Sequence, residues 1–438
     1  MWDHKDINVT IKHLWVSNPE KRFIVDSDGT DVLQTGQVFP HLITLRLTAM
    51  NSLERVFQYS SIICSIPMLQ DLYIASCPEL TTIFTHATII SLPKLRTLTI
   101  FRCSKVKYLA VHCPSLEELR IDWCDEFERL IQEEVAHGDR LLHQRESHHD
   151  LPNYPYGYEN EKLTIRDYSE FESLDEEVSH EDILVLLLKL KTLTLTSLPK
   201  LREIFGGIFE HKLESLHNKQ ECSPHKHKNE RVKVVNLELI SIDLHGLLEL
   251  DYIWKGPKQF VSLHRLEDVT LWECSKLKHI FTLTIVTSLP KLRRLDVRYC
   301  EEWEGIFCEE SLKNLSSSSI VGLLRLEIIS IYECHKVRRL FSYALASRCP
   351  SLEYITIHDC SQLEGVVQAY EGEVASHHEM LFPKLNSLFL IRLPKLREIY
   401  PDYEFNHFSD TIQIEDCPNI CNIPLYIMWY VVTLVLSL

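Results

Sequence analysis

One pattern of apolar residues recurs from one end of the chain to the other: apolar, two variable, apolar, one variable, apolar, two variable, then often cysteine. It is written L-x-x-L-x-L-x-x-C, with another apolar residue three positions on and frequently Ile-Phe after it. Thirteen copies are counted, with middle apolar positions at Leu14, Leu45, Leu72, Leu98, Leu119, Leu193, Ile240, Val269, Leu295, Ile329, Ile355, Leu388 and Ile412. A spacing of 26 residues recurs, with 27 and 29 beside it, and gaps of 74 and 47 interrupt the series. In the copy that starts at Leu92, Leu98 and Ile100 lie two apart and so point to one face of a strand. Leu95 and Val106 extend that inward set on either side. Each copy buries about six or seven apolar side chains, worth about 1.5–3 kcal/mol each. Ordering about 26 residues costs about 1–2 kcal/mol per residue in backbone entropy. One copy therefore cannot fold alone, and stacked copies share one continuous core.

A period of this length with this consensus is that of leucine-rich repeats. The predicted fold is an α/β solenoid: a leucine-rich-repeat horseshoe with a curved parallel β-sheet on the concave face and a mostly irregular convex side. Repeats 1–5 occupy residues 1–131, repeat 6 residues 186–205, and repeats 7–13 residues 234–424. Between them stand an acidic insertion at 132–185 and a polar, His- and Lys-rich insertion at 206–233. Glu159 to Asp182 alone carries ten acids and two bases. Both insertions are predicted to leave the solenoid as mobile surface loops. Residues 425–438 form an apolar tail, read as translated intron in preference to a capping strand.

Cysteine and proline punctuate the repeats. Cys77, Cys103, Cys124, Cys274, Cys300, Cys334, Cys360 and Cys417 each follow a middle position by five residues. A small, weakly hydrogen-bonding side chain suits the tight turn leaving a strand, and no C-x-x-C pair exists, so this column reads as core filling rather than a metal or redox array. Seven copies begin Pro-x-Leu, at Pro40, Pro67, Pro93, Pro114, Pro290, Pro350 and Pro383. Proline fixes φ and lacks an N–H, so it fits where a strand starts and no donor is needed.

Composition excludes several function classes. Formal net charge is −16, from 46 Lys and Arg against 62 Asp and Glu, which argues against non-specific nucleic-acid binding. The first residues form no basic-then-apolar secretion signal. The one long apolar run, Pro424 to Leu438, is shorter than the roughly 20 residues that span a bilayer. A cytoplasmic chain without membrane contact is expected. The glycosylation triplets at Asn8 and Asn314 stand at chance level. The sequence holds no phosphate loop, no G-x-G-x-x-G and no G-x-S-x-G elbow. Asp26 to Asp31 has the wrong spacing for a calcium loop. His148-His149, His225-x-His227 and His377-His378 read as solvated side chains. No catalytic, metal-ligating or cofactor-binding residue is expected, and the chain reads as a non-enzyme.

What remains is a surface. Residues that alternate with the buried set face the open, concave side of the sheet. Seven of these 39 positions are aromatic, seven acidic and four basic. Exposed aromatics beside arginine resemble the anchors of protein interfaces, although aromatics also favour strands for their own sake. The candidate partner-binding residues are Arg46, Tyr73, Phe101, Arg120, Trp272, Arg294, Asp296, Arg298, Tyr332, Tyr354, His358 and Phe389.

Some segments reach beyond the generic repeat. They are Ile11-Lys12-His13-Leu14-Trp15-Val16-Ser17-Asn18-Pro19-Glu20 with Phe23-Ile24-Val25-Asp26-Ser27, then Ile253-Trp254-Lys255-Gly256-Pro257, then Cys274-Ser275-Lys276-Leu277-Lys278-His279-Ile280-Phe281, and the recurring Leu-Pro-Lys-Leu-Arg-Glu-Ile. Together, over about residues 7–424 outside the insertions, the chain resembles the leucine-rich-repeat region of plant intracellular coiled-coil, nucleotide-binding (NBS-LRR) disease-resistance receptors. The resemblance implies a recognition module in plant innate immunity, whose repeats hold a switch inactive and sense pathogen effectors directly or through a guarded host protein. Ile11 to Val16 is already a repeat strand, and the sequence departs from the family in carrying no coiled coil and no nucleotide-binding module. A monomeric chain is expected, either a receptor fragment or a free-standing solenoid. Its expected partner is an effector, a guarded host protein or a nucleotide-binding module on another chain. The alternative is a substrate adaptor of a ubiquitin ligase, which uses similar Cys-containing repeats but needs an N-terminal helical module where residues 1–38 already hold repeat 1.

Overall fold

The computed structural model describes residues 11–20, 41–56, 66–81, 83, 92–109, 113, 115–130, 189–205, 235–254, 261–281, 289–307, 323–368, 381–399 and 411–420. Thirteen strands pair side by side, all parallel, in one sheet. In chain order they begin with β1 (His13–Val16), β2 (Thr44–Thr48), β3 (Asp71–Ala75), β4 (Thr97–Phe101), β5 (Glu118–Asp122) and β6 (Thr192–Thr196). They continue with β8 (Ser241–His245), β10 (Asp268–Trp272), β12 (Arg294–Arg298), β14 (Ile328–Tyr332), β16 (Tyr354–His358), β18 (Ser387–Ile391) and β19 (Thr411–Glu415). Six short strands lie outside this sheet: β7 (Val235–Asn236) with β9 (Val261–Ser262), β11 (His279–Phe281) with β13 (Gly305–Phe307), and β15 (Arg339–Ser342) with β17 (Gly365–Gln368). The helical component among the described residues is a single turn, α1 (Tyr343–Ala346), with the Ser342 hydroxyl accepting from the Leu345 N–H as its N-cap. The fold is a leucine-rich-repeat solenoid.

The repeat dictates the register. Leu98 lies opposite Leu72 and Leu119, and Leu295 opposite Val269 and Ile329. The long gaps leave the sheet unbroken, since Leu119 pairs with Leu193 and Leu193 with Ile242. Both insertions, 132–185 and 206–233, lie outside the described residues, as do the paired histidines, Asp26 to Asp31 and the tail. Within repeat 4 the inward set is Leu92, Leu95, Leu98, Ile100, Cys103, Val106 and Leu109, none more than 2% exposed.

One register differs from the sequence reading. The seventh middle position is Ile242, not Ile240, because Ile242 pairs with Leu193 and Val269. Apolar residues at 237, 239, 240, 242 and 244 allow both alternations. The observed one buries Leu247 and Leu250, which the other would turn away from the core. The spacings around it are consequently 49 and 27 rather than 47 and 29.

Each strand ends the same way. The residue four after the middle position has positive φ in repeats 2–13, from Ala49 (52°) through Gly246 (61°) to Asp416 (53°). Only Gly246 among them is glycine, so eleven side chains accept a left-handed conformation that costs about 1–2 kcal/mol each. The compensation is a ladder: the N–H of this residue donates to the carbonyl that ends the next strand, as Arg102 does to Asp122 and Tyr299 to Tyr332, at 3.0 and 2.9 Å. The chain then turns inward and buries the cysteine. The Sγ of Cys77, Cys103, Cys124, Cys300, Cys334, Cys360 and Cys417 each donates to the carbonyl two residues back, at 3.3–3.5 Å. Serving that carbonyl is what this column does. Burial pushes the Cys113, Cys124, Cys349 and Cys360 thiols up to about 12, so they stay neutral.

Proline sits in the turns on both sides of the strand. Pro93 and Pro290 occupy the second position of turns closed by Leu95 N–H to Leu92 O and Leu292 N–H to Leu289 O, just before β4 and β12. Fixed φ suits that position. Pro199 and Pro394 do the same just after β6 and β18, in turns closed by Leu201 and Leu396. The Leu-Pro-Lys-Leu motif thus serves two different turns.

Charge on the second turn alternates from repeat to repeat. The residue seven after the middle position runs Glu79, Lys105, Glu126, Lys200, Glu249, Lys276, Glu302, Lys336. Glu79 pairs with Lys105, Glu126 with Lys200 and Glu249 with Lys276, at 2.6, 2.6 and 2.7 Å. Two residues on, the same alternation runs Lys107, Glu128, Arg202, Asp251, Lys278, Glu304, Arg338, Glu364, Arg397.

Candidate functional site

Strand residues one before, one after and three after the middle position point away from the core, and the residue at positive φ joins them. On this concave face the candidate side chains gather into two groups separated by a stretch of hydroxyls. In the first group, the Arg46 guanidinium lies 5.5 Å from the Trp15 ring and 5.7 Å from that of Tyr73. These three residues occupy one column of β1, β2 and β3, and the in-register pairing brings them together. Arg102 stands 5.1 Å over Phe101. Arg120 pairs with Asp122 at 2.5 Å. Asp122 is only 1% exposed, and its Oδ1 has no hydrogen-bond partner among the described residues. Repeat 6 then presents Thr192, Thr194 and Thr196, a neutral polar strip.

The second group is longer. Across β8, β10, β12, β14 and β16 the column three after the middle position reads His245, Trp272, Arg298, Tyr332 and His358. The His245 and Trp272 rings stack 6.0 Å apart. The Arg298 guanidinium sits between two rings, 5.6 Å from Trp272 and 4.6 Å from Tyr332. Tyr332 meets His358 at 4.8 Å. Asp296 fixes the guanidinium by accepting from Nε and Nη2, both at 2.7 Å. Asp243 does the same for His245 at 2.6 Å. Burial, helped by the nearby Arg392 charge, holds the His358 imidazole below the ordinary value. Tyr299, in the positive-φ position, meets Trp272 at 5.3 Å and is 38% exposed.

The structure therefore joins Trp272, Asp296, Arg298, Tyr332 and His358 into one unit and Arg46 and Tyr73 into another. Arg294, Tyr354 and Phe389 also face outward but make no ring or ion-pair contact with these units among the described residues. Sequence reasoning passed over His245, because repeat 7 was placed two residues early. Arg102, Trp123 and Tyr299 lie one residue past the strand end, outside the 39 alternating positions. The signal was present: each stands immediately before the cysteine.

Elsewhere, a cavity of about 670 Å³ opens at the second turns of repeats 5–7. Glu128, Lys200, Arg202, Glu249 and Asp251 of the alternating series line it, together with Arg129, Glu203 and Tyr252. Among the described residues no three His, Cys, Asp or Glu side chains gather as a metal site. No helix there is long and apolar enough to cross a membrane.

The family model for plant disease resistance proteins of the RPS2-like type, leucine-rich repeats, matches residues 12–104, 206–301 and 309–428. The probable disease resistance protein At4g27220 of Arabidopsis thaliana is 29% identical over 186 residues, which is 37% of this chain and 20% of that protein. The probable disease resistance protein At4g14610 of the same plant is 28% identical over 144 residues, 30% of this chain and 19% of that protein. The match thus spans about a fifth of the length of these relatives. Among solved structures, the leucine-rich-repeat domain of the type III effector XopL is 18% identical and covers 75% of this chain and 77% of that one, with a TM-score of 0.38. The family match extends over most of the sequence and agrees with the thirteen-stranded sheet: the chain belongs to the RPS2-like leucine-rich-repeat family of plant disease resistance proteins.

Proposed function

We propose that this chain is a non-catalytic protein-recognition module of plant defence that engages its partner through the concave face. The observation that carries the reading is the concentration of aromatic and arginine side chains in two in-register columns, one centred on Arg46 and the other on Arg298. Such side chains bind well because large rings bury area at low entropic cost and a guanidinium pre-held by a carboxylate loses little freedom on binding. Leucine-rich-repeat folds are in general protein-interaction modules, and family membership supports a defence context. The finer role is effector sensing, direct or through a guarded host protein, together with restraint of a nucleotide-binding module in the cytoplasm. All twelve candidate residues, with Trp15, His245 and Tyr299 added, form the proposed contact surface. The test pairs concave substitutions (Tyr73→Ala, Trp272→Ala, Tyr332→Ala) with turn substitutions (Lys105→Ala, Lys276→Ala). Partner binding in leaf extracts and defence output are read side by side. Loss confined to the concave set is the expected result; loss confined to the turn set would sink the proposal.

A further inference from the structure

The second column differs from the first in the charge around it, and that difference selects a partner chemistry. Over repeats 7–11 the outward strand and turn positions carry Asp243, Asp268, Glu273, Asp296, Glu333 and Asp359, against the guanidiniums of Arg294 and Arg298, with Asp243 held by His245 and Asp359 by Arg392 of the next repeat. Asp296 and Arg298 neutralise each other. Asp268, Glu273 and Glu333 form no ion pair with another described residue, and Glu273 accepts from the Trp272 indole N–H at 3.3 Å. The first column has no such excess, since Arg46, Arg102 and Arg120 stand there against Asp71, Glu118 and Asp122. An aromatic face is negative at its centre, and a carboxylate rim adds to that field. The chain's own Arg298, seated between the rings of Trp272 and Tyr332, shows which group these rings hold.

We propose that the Trp272–Arg298–Tyr332 column is a docking platform for a basic protein segment, lying across repeats 7–11 against the outward edges of these stacked side chains with its charge answered by Asp268, Glu273 and Glu333. This rests on the concave-recognition reading above and narrows it to one half of the face and one partner chemistry. Electrostatic attraction of this kind sets partner choice and association rate, and weakens with salt.

The test uses the full chain and three fluorescein-labelled twelve-residue peptides of alternating glycine with arginine, lysine or glutamate, read by anisotropy at low and high salt. The arginine and lysine peptides are expected to bind, arginine more tightly, and the glutamate peptide to fail. Trp272→Ala should weaken the arginine peptide about tenfold. Asp268→Asn with Glu273→Gln, which preserves shape, should weaken it about as much, whereas Glu249→Gln on the second turn removes the same kind of charge without effect. Equal binding of the glutamate peptide, no binding of any peptide, or indifference to both the Trp272 and the carboxylate variants would overturn the platform. A cross-link of the bound arginine peptide to Trp15 or Tyr73 instead would also overturn it, while leaving recognition by the concave face in place.

Discussion

Leu295 and Asp296 are neighbours in β12, yet the fold gives them opposite duties. Leu295 is fully buried, with Val269 on one side and Ile329 on the other. Leu295→Ala should cost about 2–5 kcal/mol, the range for a large side chain deleted from a packed core. Leu295→Asp should cost more, because it buries a carboxylate between the apolar side chains of Val269 and Ile329. Asp296 faces outward, where its side chain is 18% exposed and its partner Arg298 is 33% exposed. Losing two hydrogen bonds at that depth should cost about 1 kcal/mol, and the freed Arg298 should blunt partner binding. Stability in such an array is a sum over neighbouring repeats and need not be all-or-none. Amide hydrogen exchange is therefore the suitable readout beside urea melts. Leu295→Asp should expose the amides of β10, β12 and β14 together; Asp296→Ala should leave them protected. Equal midpoints and equal protection in the two variants would refute the face assignment and with it the stacking argument.

Arg120→Ala strips the partner from the buried Asp122 carboxylate and should cost about 3 kcal/mol, with Asp122→Asn added to it restoring most of the loss; additive effects in that double-mutant cycle would show that the pair does not interact. The ten described cysteines should resist maleimide at pH 8 in the native chain and react in urea, because all are buried; mass-spectrometric labelling of Cys124 or Cys334 in native protein would contradict this. Hydrogen bonds from Arg392, Arg293 and Arg96 hold Asp359, Glu327 and Glu117 below their ordinary values. A carboxylate depressed in the folded state stabilises above its unfolded value and loses that contribution as pH falls through the folded one. Thermal midpoints should thus be level near neutrality and fall below about pH 4.5, less steeply in 1 M salt; a midpoint unchanged from pH 6 to pH 3 would count against these pairs.

The repeat was legible in the sequence because its apolar spacing repeats far more often than chance, and each copy supports the same reading. Thirteen strands and the inward set followed directly from residues such as Leu98, Ile100 and Cys103. Repeat 7 was misread where two apolar alternations overlap, and only the downstream pair Leu247 and Leu250 decides between them. The outward turn position was not legible because positive φ normally signals glycine, whereas eleven of its occupants are other residues. The candidate residues stand on the outward face, but which of them meet depends on the column that each occupies. Trp272, Arg298, Tyr332 and His358 share one; Arg294 and Tyr354 stand in another, and Phe389 in a third.

The alternating turn charges answer a problem that the core cannot solve. Leu98, Leu119 and Leu193 are chemically the same, so a sheet built from such columns has little means of telling one neighbour from the next. A slip by one repeat would leave the core nearly as well packed. On the second turns the same slip would set Glu79 against Glu126 and Lys105 against Lys200, replacing attraction with repulsion at each step. Each exposed pair is worth only about 0.2–1 kcal/mol, but the alternation continues through eight successive repeats, so the terms accumulate in one direction. Order in the stack is thus set on the turns, and cohesion inside. Neither duty falls on the concave columns, so the identities of Arg46, Trp272, Arg298 and Tyr332 are left to answer to whatever lies against them.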